Sequence, residues 1–140
     1  MSSGTRKIHP RPAPLVCIVD PDAVLARRLA ELLQGAGAEV RVFGSGAALL
    51  AAAAPAPACI ISEMRLPDTT GIELIGALRA REISSPVILL ADDGEVATAV
   101  AAMRAGALDF IEKPHVDRLL VWHIRRLLDN DEPGDGPDAG

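Results

Sequence analysis

Four residues of this 140-residue chain stand where short apolar runs stop, and three of them carry charge. Asp20 follows Leu15 to Val19, Glu63 follows Ala58 to Ser62, Ala91 follows Val87 to Leu90, and Lys113 lies just past Leu108 to Ile111. Brought together, Asp20, Glu63 and Lys113 sum to a charge of −1. That set suits a fixed ion pair. A Glu63–Lys113 contact at ~4 Å is worth up to ~4 kcal/mol at an effective dielectric of about 20, before desolvation costs. It suits Mg²⁺ less well, because that ion dehydrates reluctantly and needs several well-placed oxygens. Lysine occurs only at positions 7 and 113 while arginine is used freely, so a compact ammonium at 113 stands against the composition. Two readings of Lys113 stand: it offsets buried carboxylates, or it has a functional role.

The elements that would position these residues alternate along the chain. Strands are expected at Leu15 to Val19, Val40 to Phe43, Ala58 to Ser62, Val87 to Leu90 and Leu108 to Ile111, all short apolar runs rich in β-branched residues. Between them, helices are expected over Ala23 to Gln34, Ala47 to Ala54, Ile72 to Arg81, Glu95 to Ala105 and Val116 to Leu128. Asp22 is a good N-cap for the first, with Gly35 or Gly37 as its stop; Pro55 and Pro57 halt the second, and Gly106 ends the fourth. Inward faces are assigned to Val24, Leu25, Leu29, Leu32 and Leu33 in the first helix. In the fourth they are assigned to Val96, Val100 and Met103, and in the last to Leu120, Ile124 and Leu127. Five strands alternating with five helices predict an α/β domain with a doubly wound parallel sheet and right-handed crossovers. The functional crevice of such a sheet lies beyond the carboxyl ends of its strands. Asp20, Glu63, Ala91 and Lys113 thereby become neighbours.

Composition bounds the function. A formal net charge of −5 without a Lys/Arg stripe argues against a nucleic-acid partner for this chain alone, and Arg125-Arg126 reads as a solvated face. No apolar run is long enough to cross a bilayer and no signal-peptide core follows Arg6 and Lys7, so a cytoplasmic protein without membrane contact is expected. Cys17 and Cys59 sit in apolar strands, as buried free thiols do. Residues 1–13 read as a flexible lead-in, 14–129 as the domain, and 130–140 as a disordered acidic tail. His115 and His123 lack companion ligands at useful spacing and are assigned surface or rim roles. Gly44-Ser45-Gly46 is too short a glycine signature for a nucleotide site.

A resemblance then becomes specific. It is carried by Val19-Asp20, Leu66-Pro67 with Gly71, Gly94-Glu95-Val96, Ala99-Val100, Met103, Ala105-Gly106-Ala107 and Asp109-Phe110-Ile111-Glu112-Lys113-Pro114, in order over about Leu15 to Leu128. The chain resembles the receiver domains of two-component response regulators, nearest to the FixJ-like kind. That resemblance implies a flavodoxin-like (CheY-like) fold with strand order 2-1-3-4-5. It also implies a phosphoacceptor pocket: a carboxylate nucleophile on the third strand, two acids holding Mg²⁺ after the first, a hydroxyl on the fourth, and an aromatic and a lysine on the fifth. The corresponding residues are Glu63, the pair Asp20 and Pro21, Ala91, Phe110 and Lys113. Three depart from the pattern. Pro21 has no side-chain oxygen, Ala91 has no hydroxyl, and Glu63 extends its carboxylate by one C–C bond, roughly 1.5 Å. Asp92 and Asp93 could add charge from the neighbouring loop. The pocket is therefore read as degenerate, with no catalytic residue, no enzyme activity and weak or absent Mg²⁺ binding.

The resemblance also places partners on the face of the fourth helix, fifth strand and fifth helix. Ala97, Ala101 and Arg104 lie on the outer side of the fourth helix, and Val121 and the only tryptophan, Trp122, fall off the inner stripe of the last. Trp122 is either a contact residue or partly covered by its own domain edge; Phe110 is either a switch residue or plain core. The preferred reading is a phosphorylation-independent receiver that binds a histidine kinase, another response regulator or a transcription regulator, with no output domain after Leu128 and homodimerisation left open. Two alternatives are kept: phosphoryl acceptance on another carboxylate such as Asp20 or Asp68, and sensing of a small ligand or ion. Glu63 stands either as a phosphate mimic or as a decayed site.

Overall fold

A computed structural model describes residues 13–52, 55–92, 96–113 and 116–129, with the side chains of 127 and 128 also outside the description. The elements run β1 (Leu15–Val19), α1 (Ala23–Gly35), β2 (Glu39–Phe43), α2 (Gly46–Ala51), β3 (Cys59–Glu63), α3 (Gly71–Ala80), β4 (Val87–Ala91), α4 (Val96–Arg104), β5 (Asp109–Glu112) and α5 (Val116–Asp129). All five strands pair in parallel in the order β2-β1-β3-β4-β5, the flavodoxin-like order implied by the resemblance. Several expected strand limits shift by one residue. The expected helix start at Glu95, the inward assignment of Leu127 and the expected structure of 1–12, 53–54 and 130–140 lie outside the described residues.

Helices cover both faces of the sheet, so its central strands read as unbroken apolar runs rather than alternating ones. On one face Val16, Ile18, Ile61, Ile88, Leu90 and Ile111 meet Leu29 and Leu33 of α1 and Leu120 and Ile124 of α5. On the other, Cys17, Val19, Ile60, Val87 and Leu89 meet Leu49 of α2, Leu74, Ile75 and Leu78 of α3, and Ala102 of α4. Cys17 and Cys59 thus belong to opposite cores and are free thiols, as expected; burial pushes the Cys59 thiol up to about 12.

Local chemistry sets the helix ends. The Asp22 carboxylate accepts the amides of Val24 and Leu25 at 3.1 Å each, as its position before α1 predicts. Beyond α1 the chain turns at Gly37, whose φ of 109° is a left-handed conformation that a side chain would oppose. Thr70 and Glu73 form a reciprocal capping box at the start of α3. Gly106, at φ 103°, ends the turn after α4.

Four inward assignments, in two helices, are overturned. Val24 is 81% exposed, and α1 buries Ala26 and Ala30 beside Leu29 and Leu33 instead. In α4 Val96, Val100 and Met103 are 78%, 44% and 49% exposed, while the buried residue is Ala102. Alanines thus share the inner row of α1 with leucines and take that of α4, and the larger Val24, Val96, Val100 and Met103 face outward. None of the described helices is long and apolar enough to cross a membrane.

Two glycines of α3 make opposite predictions. A Cβ on Gly71 would stand 2.5 Å from Leu89 Cδ2, deep in the core, whereas one on Gly76 would meet nothing within 4 Å. Gly71→Ala should cost about 1–3 kcal/mol through overpacking, and Gly76→Ala should add about 0.5–1 kcal/mol through helix propensity. Urea unfolding of the two variants checks this; equal effects would contradict the packing described.

Candidate functional site

The strand register gathers the site. Val19 pairs with Ser62 and Glu63 with Leu90, so Asp20 and Ala91 flank Glu63 at the carboxyl edge. Ala91 pairs with Glu112, and the Lys113 amide donates to the Ala91 carbonyl at 2.9 Å, which turns the ammonium over the same edge. Asp20, Glu63, Ala91 and Lys113 are therefore brought together as their positions predict.

Lys113 Nζ lies 2.6 Å from Glu63 Oε1 and 3.4 Å from Asp92 Oδ1. The first pair is largely withdrawn from water, with side chains 22% and 10% exposed, and the second is open at Asp92, 81% exposed. Asp20 is buried; its Oδ1 accepts the Asp22 amide at 2.8 Å, and its Oδ2 has no hydrogen-bond partner among the described residues. The Asp22 side chain is committed to capping α1. Pro21 is exposed, and Ala91 contributes only a methyl group. Asp93 lies outside the described residues. Among those described, no group of three or more acidic, histidine or cysteine side chains is placed to hold a metal.

Electrostatics follow from burial and charge count. Burial pushes the Asp20 carboxyl above its ordinary value, against the Asp22 amide and the Lys113 charge. Glu63 is raised for the same reason, with the Lys113 hydrogen bond and charge opposing and Asp20 and Asp92 adding. Burial works against the Lys113 ammonium, but the Glu63 hydrogen bond and the charges of Glu63, Asp20 and Asp92 prevail and hold it above its usual value. Lys113 thus serves three carboxylates.

Further ties around the site were not legible in the sequence. Asp68 Oδ1 accepts from Gly46 N at 3.1 Å and Oδ2 from Ala47 N at 2.9 Å, which anchors the loop after β3 to α2 and lowers the Asp68 pKa. Gly46 is needed there because a Cβ would stand 2.7 Å from Thr69 Cγ2. His123 is not a plain surface residue: its side chain is 10% exposed and its Nε2 lies 2.9 Å from Asp109 Oδ2. Phe110 is half-buried and packs against the second core. Ala97, Ala101 and Arg104 are exposed as expected, and Val121 and Trp122 are half-buried. His115 lies outside the described residues.

Removing Lys113 tests this balance. Breaking a fully buried pair costs ~3–5 kcal/mol, and the residual exposure here reduces the expected loss for Lys113→Ala to about 2 kcal/mol at pH 7. The loss should shrink as pH falls through the raised Glu63 pKa, because a neutral carboxyl needs no counter-ion. Asp20→Asn should do the reverse. A folded-state pKa above the unfolded one costs stability as pH rises through it, so this variant should gain on the parent at pH 7 and match it near the ordinary carboxylate range. Unchanged melting of Lys113→Ala across that range would mean an incidental, solvated lysine.

Comparison with known proteins agrees with the geometry. Residues 16–125 match the response regulator receiver domain family. Over 114 residues the chain is 39% identical to the transcriptional regulatory protein FixJ of Azorhizobium caulinodans, covering 81% of this chain and 54% of that protein. To FixJ of Rhizobium meliloti it is 38% identical over 116 residues, 82% of this chain and 57% of that one. The chain thus spans about half the length of the curated relatives it matches. Among solved structures, the chemotaxis response regulator CheY4 of Vibrio cholerae superposes with a TM-score of 0.74 at 26% identity, covering 83% of this chain and 99% of that one. On its fold and on these likenesses, the chain belongs to the receiver domains of the two-component response regulators.

Proposed function

We propose that this receiver domain works without phosphorylation, as a protein-binding module in two-component signalling or transcription regulation. The observation that carries the reading is the Glu63–Lys113 pair at 2.6 Å, closed over a pocket that has Ala91 on one side and Pro21 on the other. A carboxylate must be free and aligned to attack a phosphoryl donor, and Glu63 is engaged by an ammonium and displaced by a methylene. Ala91 has no hydroxyl with which to follow a new phosphoryl group. Mg²⁺ does not fit: Pro21 offers no side-chain oxygen, Asp22 caps α1, and Lys113 already neutralises Glu63. Asp68 makes a poor substitute acceptor, since both its oxygens receive backbone amides.

A binding role is supported by α4. Its exposed row of Val96, Val100 and Met103, continued by Leu108 at 48% exposure, is apolar surface that burial against a protein would stabilise. Ala97 and Ala101 beside it permit close approach, and Arg104 adds a charge at the end of the helix. A histidine kinase, another response regulator, a transcription regulator or a second copy of the chain are the partners this reading admits, in the cytoplasm.

An amide NMR titration with Mg²⁺, followed by beryllofluoride as a phosphoryl mimic, should leave Asp20, Glu63 and Lys113 unmoved. Glu63→Asp alone should not restore a response, whereas Pro21→Asp, Glu63→Asp and Ala91→Thr together should. Saturable shifts in the parent protein that spread to Phe110 and α5 would overturn the reading.

A further inference from the structure

One carboxylate joins the last strand to the last helix. Asp109 opens β5; its Oδ1 accepts the Phe110 amide at 2.8 Å, and its Oδ2 meets Nε2 of His123 on α5 at 2.9 Å. The His123 side chain is 10% exposed and that of Asp109 35%. Trp122 closes the contact on another side. Its ring meets that of His123 edge-on with centroids 4.8 Å apart, and Arg126 lies over the indole at 4.9 Å. Trp122 is also one wall of a groove of about 490 Å³ between α1 and α5, beside Leu32 and Val121. A line of contacts therefore runs from the Phe110 backbone through Asp109 and His123 to a groove on the surface.

We propose that the Asp109–His123 contact is a proton-operated latch between β5 and α5, which fixes the Trp122 wall of the groove while His123 is charged and loosens it when His123 is neutral. Histidine is the side chain whose ordinary charge change falls between about pH 5 and 8. A charged imidazole donates from both ring nitrogens, and its bond to a carboxylate is about twice as strong as a neutral one. A neutral ring has one donor and one bare nitrogen. It either keeps a weaker bond through Nε2 or turns lone pair against lone pair. The other half of the pair sets the lower limit. The His123 hydrogen bond, helped by the Phe110 amide, holds the Asp109 carboxyl below its ordinary value against burial. Its contribution is present at neutral pH and is lost as pH falls through that lowered value. The latch is thus tight over a window, bounded below by Asp109 taking a proton and above by His123 losing one.

The charges around the ring come from three elements. Asp109 faces it from β5, whose other end carries Glu112. On α5, Arg126 shares the Trp122 ring and opposes a charge on His123 at every pH, and Arg118 and Arg125 belong to the groove lining. From α1, Arg28 is engaged by Asp117 near the start of α5. Asp109 opens β5 whereas Lys113 follows its end, so the latch does not depend on the state of the Glu63–Lys113 pocket. The inference therefore stands apart from the function proposed above.

The chain has one tryptophan and no tyrosine, so its emission reports on Trp122 alone. Titrating the whole protein between about pH 5 and 8 should change that emission. In NMR spectra it should move the Phe110 amide and the Trp122 indole N–H with one shared midpoint. His123→Gln keeps a neutral donor and should abolish the transition at both positions. Asp109→Asn keeps the side-chain shape and should move the transition to lower pH, because the carboxylate that favours a charged ring is gone. Circular dichroism checks that both variants are folded, and the titration of the parent needs neither. A flat response of the parent in both readouts, or separate midpoints for Phe110 and Trp122, would overturn the latch. So would a transition that survives His123→Gln, or one that Asp109→Asn leaves in place.

Discussion

Two carboxylates are buried at the carboxyl edge of the sheet, and the fold must find charge to set against them. Asp20 follows β1 and Glu63 ends β3, on adjacent strands, so neither can move away from the other without breaking the ladder. Desolvation raises the pKa of both, and the Asp20 charge raises that of Glu63 further. Lys113 answers them from β5 at the far side of β4, on a side chain long enough to cross the Ala91 position. Between them stands Ala91, buried at the end of β4, which brings only a methyl group to the edge.

The rest of the edge is held by carboxylates accepting backbone amides. Asp20 takes the Asp22 amide, Asp22 takes two amides of α1, Asp68 takes two at the start of α2, and Glu73 with Thr70 closes the start of α3. Each bond occupies an N–H that has no partner inside its helix, and those to carboxylates carry the added strength of a charged acceptor. These ties join the loops after β1, β2 and β3 to helix starts, so the edge takes its shape from its own residues.

The sheet and its edge were legible because apolar runs of strand length, each closed by a charged or small residue, leave little choice of period. The Asp22 cap and the Gly106 stop were legible for the same local reason. The helix faces were less so. A reading that looks for large apolar residues at helical spacing puts Val24, Val96, Val100 and Met103 inside, but α1 buries Ala26 and Ala30 beside Leu29 and Leu33, and α4 buries Ala102. Asp68 with Gly46 and Ala47, and Asp109 with His123, are tertiary pairs 22, 21 and 14 residues apart, and no local pattern announces them. The Glu63–Lys113 pair could be anticipated only because parallel strands deliver their ends to one place.

The misread face of α4 has a consequence for function. A helix that buries only Ala102 among its described residues is attached through a small contact and leaves its bulkier valines and methionine in water. Isolated exposed apolar residues are ordinary, but a row at helical spacing is a stripe, and its burial by a partner removes area from water without disturbing the core. A side chain such as Val96 contributes little to the stability of the free domain and much to an interface. Selection for binding and selection for folding therefore act on different residues of α4: Ala102 sets how closely the helix lies on the sheet, and Val96, Val100 and Met103 set what it can hold. The same division applies to α5, where Leu120 and Ile124 build the core while Val121 and Trp122, one step round the helix, face the groove. Neither division depends on the pocket changing state.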